Sequence, residues 1–288
     1  MKNNRPSARE WGERIVLALL FTAIGSLIMV VFSPWGRPVL GRVADYLGRI
    51  GLTILLLATA LLARRSKRFE QYWQILFAFF IMTVAVSLDR IFAIYLIDYL
   101  GIIDTTPAGW AFPKLNECIV IVGVIILFTR MSGSNLGSIY LQKGNLKLGL
   151  VIGWIAFFFA AAGSIPMASL FNARDLSFAR ILPWIPWLLI YILANATMEE
   201  LLFRGLFLRK LEPFLGKILS NFVIAFIFTG IHGAVNYTSD QYLFVAILFP
   251  LALAWGYIMQ KTDSVWGSIL FHAGMDIPIM LGIFSNLP

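Results

Sequence analysis

Residues 15–33 read IVLALLFTAIGSLIMVVFS, a run without a single charge. A helix that crosses the hydrocarbon core of a bilayer needs about 20 mostly apolar residues. This run meets that length and is read as a spanning helix. The same test selects 47–63, 71–88, 117–130, 148–170, 185–210, 218–236, 242–260 and 264–283. The weakest is 117–130, a short apolar run between Glu117 and Arg130. The stretch 71–103 is too long for one span and too short for two. Its first part, 71–88, is read as the span, and 91–103, after Asp89-Arg90, as an interfacial or tilted extension. The expected fold is all-α, a polytopic transmembrane helical bundle of eight or nine spans.

Composition supports this. Hydrophobic residues make up 59% of the 288 and charged residues 13%, and the mean hydropathy is +0.82. Soluble domains carry about 25% charged residues, so a soluble globular enzyme is set aside. A disordered chain is excluded because such chains are poor in apolar residues. The single cysteine, Cys118, forms no internal disulfide and no thiolate metal cluster. The N-terminal run is longer than a signal-peptide core, and VVFSPWG holds no A-x-A-like cleavage site, so it is read as a retained helix.

The net charge of +8 fits loops on the cytoplasmic side of a membrane better than nucleic acid. Of the loops taken alternately, one set holds Lys2, Arg5, Arg9, Arg14, Arg64, Arg65, Lys67, Arg68, Arg130, Lys143, Lys147, Arg209, Lys210, Lys217 and Lys261. The other holds only Arg37, Arg42, Arg49, Lys114, Arg174 and Arg180. The richer side is expected in the cytoplasm, which puts the N-terminus inside. The expected location is a bacterial cytoplasmic membrane, with the lipid bilayer as one partner and no nucleic acid. No internal repeat, low-complexity tract or extramembrane domain is evident.

Ionisable groups inside a membrane are costly and usually mark function. Here they gather in the last third. One helix carries Glu199, Glu200 and Arg204, the next Phe228 and His232, and the last His272 and Asp276. Glu200/Arg204, Phe228/His232 and His272/Asp276 are each four apart, one turn along a shared face. Measured from Lys210, Lys217 and Lys261 at about 1.5 Å per residue, Glu199, His232 and His272 lie roughly 16, 22 and 16 Å deep. Three helices thus bring polar groups to similar depths near the middle of the bilayer, which suggests one site reached through a water-filled cavity.

A carboxylate beside an imidazole can hold and deprotonate water, and a second imidazole with a donating neighbour can stabilise an oxyanion. That chemistry describes water-mediated amide hydrolysis. Plainer roles stand beside it. Glu200–Arg204 can be a structural ion pair, Phe228 a packing residue, and Asp276 the group that orients His272.

The order E-E-x-x-x-R, F-x-x-x-H and H-x-x-x-[N/D] on successive membrane helices resembles the CPBP family of intramembrane proteases. That family includes the type II CAAX prenyl endopeptidases and bacterial proteins linked to bacteriocin processing and self-immunity. The motifs stand as Glu199-Glu200-Leu201-Leu202-Phe203-Arg204, Phe228-Thr229-Gly230-Ile231-His232 and His272-Ala273-Gly274-Met275-Asp276. The Phe203-Arg204-Gly205 flank is similar as well. The resemblance covers about 185–283. It divides the chain into N-terminal transmembrane helices (1–180) and a CPBP-like catalytic helical core (181–288).

The resemblance implies an intramembrane endopeptidase without a covalent intermediate, acting on a peptide or a membrane protein. It makes Glu199 the general base and His232 its partner. His272 and Asp276 would bind the oxyanion, with Glu200 and Arg204 in support. The CAAX endopeptidases have asparagine where this chain has Asp276, and an ionised aspartate donates no hydrogen bond. Asp276 is therefore either protonated or an orienting group for His272.

No cofactor is expected. The nearest rival is a zinc protease with Glu199, His232 and His272 as ligands, although no H-E-x-x-H occurs. From another class, a proton-coupled transporter also uses intramembrane Glu, His and Asp, but paired broken segments are missing. Haem ligation by the two histidines would leave the diglutamate without a role. A non-catalytic membrane scaffold that keeps the motifs is the remaining alternative.

Overall fold

The computed structural model describes residues 7–32, 39–233, 238 and 240–288, with backbone alone at 93–98. Lys2, Arg5 and Arg37 of the charge comparison, and residues 33–36 of the VVFSPWG stretch considered for cleavage, lie outside the described residues. Among those described, all regular structure is helical: α1 (Ala8–Val31), α2 (Arg42–Arg65), α3 (Trp73–Leu100), α4 (Pro107–Met131), α5 (Leu146–Ala168), a one-turn α6 (Phe178–Ile181), α7 (Ile185–Glu199), α8 (Leu206–His232), α9 (Gln241–Thr262) and α10 (Trp266–Ser285). Eight helical segments are long and apolar enough to cross a membrane, within the range expected.

The helices begin where side chains satisfy otherwise unpaired N–H groups. Ser7 and Glu10 form a reciprocal cap on α1, Thr106 caps α4 with Pro107 at its first position, and Asn145 and Asp240 cap α5 and α9.

Three sequence expectations are corrected. The weak span 117–130 is the second half of α4, which starts ten residues earlier at Pro107. Lys114, counted as a loop charge, lies inside that helix and is ion-paired to Glu117. The pairing removes the reason for ending the span at a charge. The stretch 91–103 extends the span as far as Leu100, since α3 continues unbroken through Asp89-Arg90. Arg90 reaches Asp45 of α2 at 3.5 Å, and Asp45 also holds Arg49 at 3.0 Å. Arg49, also counted as a loop charge, is therefore buried inside α2.

The segment 178–232 is helical almost throughout, yet it is not one rod. Gly216 has φ 75° and ψ 167°, a conformation open essentially to glycine. A straight helix would put Glu199 and His232 about 50 Å apart. They are 3.9 Å apart. The chain therefore folds back at Gly216, and the two arms return their ends to one depth. This hairpin is what the sequence reading took as two spans, 185–210 and 218–236.

The fold-back is tied down at its end of the bundle. Tyr140 donates to Glu212 at 3.0 Å, and Gln260 bridges Glu212 and the Lys217 carbonyl. Burial, and then the Glu212 carboxylate, push the Tyr140 phenol up from its usual pKa, so it stays a donor. Gln142 and Arg209 both reach Asp263 in the α9–α10 turn.

α10 is the most buried span. It lies against α5 with almost no gap. A Cβ on Gly153 would come 2.9 Å from the Gly267 carbonyl oxygen, and one on Gly274 would come 2.8 Å from the Phe157 Cα. Without a hydrophobic drive between helices in lipid, such small-residue contacts permit close van der Waals packing. They fix the rotation of α10, and with it the direction in which His272 points.

Candidate active site

Two polar ladders face each other in the centre of the bundle. α7 presents Tyr191, Asn195 and Glu199, spaced four apart, and α10 presents Ser268, His272 and Asp276 with the same spacing. The helices run antiparallel, so the rungs pair in reverse order. Asn195 Nδ2 donates to Asp276 Oδ2 at 3.0 Å, and Glu199 Oε2 lies 3.4 Å from His272 Nε2. At the inner end, Ser268 donates to Glu200 and sits 3.2 Å from the Trp255 carbonyl.

The two glutamates take different positions although they are neighbours. Successive helical residues point about 100° apart. Glu199 faces a cavity of about 260 Å³ that His232, His272 and Asp276 also line. Glu200 points behind it and is fully buried. Its Oε1 accepts from Arg204 Nη1 and from His272 Nδ1, each at 2.8 Å. Glu200–Gly205 forms one wide π-helical turn, a feature often found at functional sites.

Arg204, also fully buried, donates to the Ala252 carbonyl at 3.3 and 3.4 Å. Its guanidinium lies 4.6 Å from the Phe228 ring centre and 5.1 Å from that of Trp255. The charge is thus compensated by one carboxylate, one carbonyl and two aromatic faces, as a buried charge requires.

The two histidines are oriented by what holds their Nδ1 atoms. A carbonyl oxygen can only accept, so His232 Nδ1, 2.8 Å from the Phe228 carbonyl, is the N–H. In the neutral ring, Nε2 then carries the lone pair, and it faces Glu199 Oε1 at 3.9 Å. His272 donates through Nδ1 to Glu200, leaving Nε2 toward Glu199 and, at 3.6 Å, Asp276 Oδ1. The rings are packed as well as bonded. Trp255 stacks on His272 at 4.0 Å with 7° between planes, and Phe228 lies 4.4 Å from His232. Glu199 Oε2 is buried with no hydrogen-bond partner among the described residues. Such an atom in a native fold asks for an explanation.

Every residue singled out from sequence therefore falls in one cluster. Glu199, His232, His272 and Asp276 line the cavity, as does Phe228, while Glu200 and Arg204 stand behind it. Among the described residues, no group of three His, Cys, Asp or Glu is arranged as a metal-holding set.

Residues 181–278 match the family model of the type II CAAX prenyl endopeptidase Rce1-like proteins. The similarity to the Rce1-like domain is confined to this segment. No curated protein and no solved structure matches the chain. The matched segment contains all three motifs, from Glu199 to Asp276.

It also contains Tyr191, Asn195, Trp255 and Ser268, which sequence reasoning missed. Asn195 and Ser268 carried a signal, since each stands one turn before a motif residue on the same face. Trp255 carried none, because it comes from α9, a helix without a motif. The outer part of the cavity wall, Met167 to Phe171, lies before the matched segment.

Proposed function

We propose that the chain is an intramembrane endopeptidase that hydrolyses a peptide bond with water activated by Glu199 and His232, without a covalent intermediate and without a metal. The observation that carries this reading is the Glu199 carboxylate on the cavity wall: Oε1 lies 3.9 Å from the lone-pair Nε2 of His232, while the buried Oε2, 3.4 Å from His272 Nε2, has no hydrogen-bond partner among the described residues. A water that donates one hydrogen to Glu199 and the other to His232 Nε2 presents its own lone pair outward, to a substrate carbonyl.

In this reading the water oxygen bonds to the carbonyl carbon, and its proton passes to Glu199. The developing oxyanion lies toward His272 Nε2, while Glu200 holds the ring through Nδ1. Collapse breaks the C–N bond, and Glu199 returns the proton to the amine. Glu200 and Arg204 hold the His272 ring from behind. Asn195 fixes the Asp276 carboxyl, so that Oδ2 accepts and Oδ1 faces the histidine. Asn195 is a positioning residue.

Catalysis is assigned to 181–288, with 1–180 as the surrounding spans. The cytoplasmic placement of the N-terminus and a bacterial cytoplasmic membrane complete the reading. The substrate is a peptide or membrane-protein segment.

The test uses the purified full chain in liposomes with a pool of apolar peptides in ¹⁸O-water. The expected result is cleavage with one ¹⁸O in each new carboxyl group and no acyl adduct on the protein after acid quench. A trapped adduct, or products unaffected by Glu199→Gln, would overturn the mechanism.

A further inference from the structure

The cavity is closed at one end of the bundle and open at the other. Its outer wall is built from Leu170 and Phe171 after α5, Thr238 and Asp240 before α9, and the first turns of α9. Thr238 is tied to the Leu170 carbonyl at 2.6 Å. From α10 it takes only His272 and residues beyond it, toward the C-terminus. Among the described residues, none of its lining comes from the opposite end, where the α1 start, the 132–145 loop, the Gly216 fold-back and the α9–α10 turn meet.

The two ends differ in charge. The closed end carries Arg64 and Arg65 at the end of α2, Lys67 and Arg68 in the turn to α3, Lys143 just before α5 and Lys147 in its first turn, and Arg209, Lys210 and Lys217 around Gly216. At the open end the described residues carry only Arg42, Arg174 and Arg180. Loops rich in Lys and Arg stay in the cytoplasm. The closed end is therefore the cytoplasmic one, and the cavity mouth faces away from the cytoplasm.

The cavity holds about 260 Å³, and Leu243, Phe244, Ile247, Leu248 and Ile279 make its outer walls apolar.

We infer that the substrate is an extended, apolar segment of an exported or membrane-anchored chain, presented from the non-cytoplasmic face. This rests on the proteolytic reading above and adds the face and the substrate class. An extended segment leaves its backbone N–H and C=O groups free to bond the polar floor, which a helix would keep to itself.

The experiment reads sidedness and cleavage separately. In a Cys118→Ala background, Leu170→Cys at the mouth and Lys143→Cys at the closed end are treated in intact cells with a membrane-impermeant maleimide. Leu170→Cys is expected to react at once, and Lys143→Cys only after permeabilisation. In parallel, right-side-out vesicles bearing the otherwise unmodified chain receive a quenched-fluorescent apolar peptide, outside or sealed within, with Glu199→Gln vesicles as background. Cleavage is expected outside only, at least tenfold above background. Reversed labelling, or cleavage of the sealed peptide alone, overturns the inference and leaves the protease standing. Expected labelling with no cleavage from either side overturns the proteolytic reading itself.

Discussion

Replacing Arg204 with methionine tests whether the buried pair behind His272 is an anchor. Methionine keeps the apolar stem and roughly the volume, so packing against Phe228 and Trp255 is largely preserved. What is lost is the 2.8 Å bond to Glu200, the two longer bonds to the Ala252 carbonyl and the charge between two rings. Glu200 keeps Ser268 and His272 as donors but stays fully buried without its guanidinium partner. Removing one partner of a buried pair costs about 3–5 kcal/mol. At about 1.4 kcal/mol per tenfold, that is between two and four powers of ten in the folding equilibrium. Adding Glu200→Gln removes the orphaned charge while keeping the hydrogen bonds. The double variant is expected to recover most of the loss, to within about 2 kcal/mol of the parent. Its activity is expected to stay about 10–100-fold down, because His272 Nδ1 no longer meets a carboxylate. The assay is SDS-driven unfolding in mixed micelles, with peptide turnover on the same samples. A single variant that loses under ~1 kcal/mol, or a double variant no more stable than the single, would refute the anchoring role.

Asn195→Ala should lower kcat about 10–100-fold with KM little changed, as loss of an orienting partner does, and kinetics on one peptide separate the two constants. Asp276→Asn keeps an acceptor for Asn195 and places an N–H beside His272, so activity is expected within about tenfold of the parent; a loss beyond ~100-fold would show that Asp276 works ionised. Gly216→Ala forces an L-residue into φ 75°, ψ 167° and should destabilise the fold by about 1–3 kcal/mol in the same unfolding assay. Activity should survive exhaustive EDTA and phenanthroline. Loss with chelator and recovery on added zinc would make Glu199, His232 and His272 metal ligands instead.

The spans were legible because a bilayer demands long apolar helices and little else does. The three i, i+4 pairs were legible for the same geometric reason, and the depth estimates found their common level before the Gly216 fold-back explained it. Misreadings came where charge was taken as a boundary. Lys114 with Glu117, and Arg90 with Asp45, are compensated inside or between helices, and hydropathy has no knowledge of partners. The separate positions of Glu199 and Glu200 follow from the 100° step of a helix, but which of them meets the cavity depends on how α7 is rotated against α10. Asn195 belonged to a readable ladder that ended too early in the reading. Trp255 reaches His272 only through the tertiary placement of α9, which no local pattern encodes.

The central claim is that Glu199 takes the proton of the attacking water. Single-turnover cleavage of one apolar peptide by the purified parent and by Glu199→Gln, with Glu200→Gln alongside, tests it most directly. Glutamine preserves shape and removes basicity. With unfolding curves confirming an intact fold, Glu199→Gln is expected to slow the chemical step at least ~100-fold, the scale of a lost general base, and Glu200→Gln to slow it less. Near-parental turnover by Glu199→Gln would contradict the account.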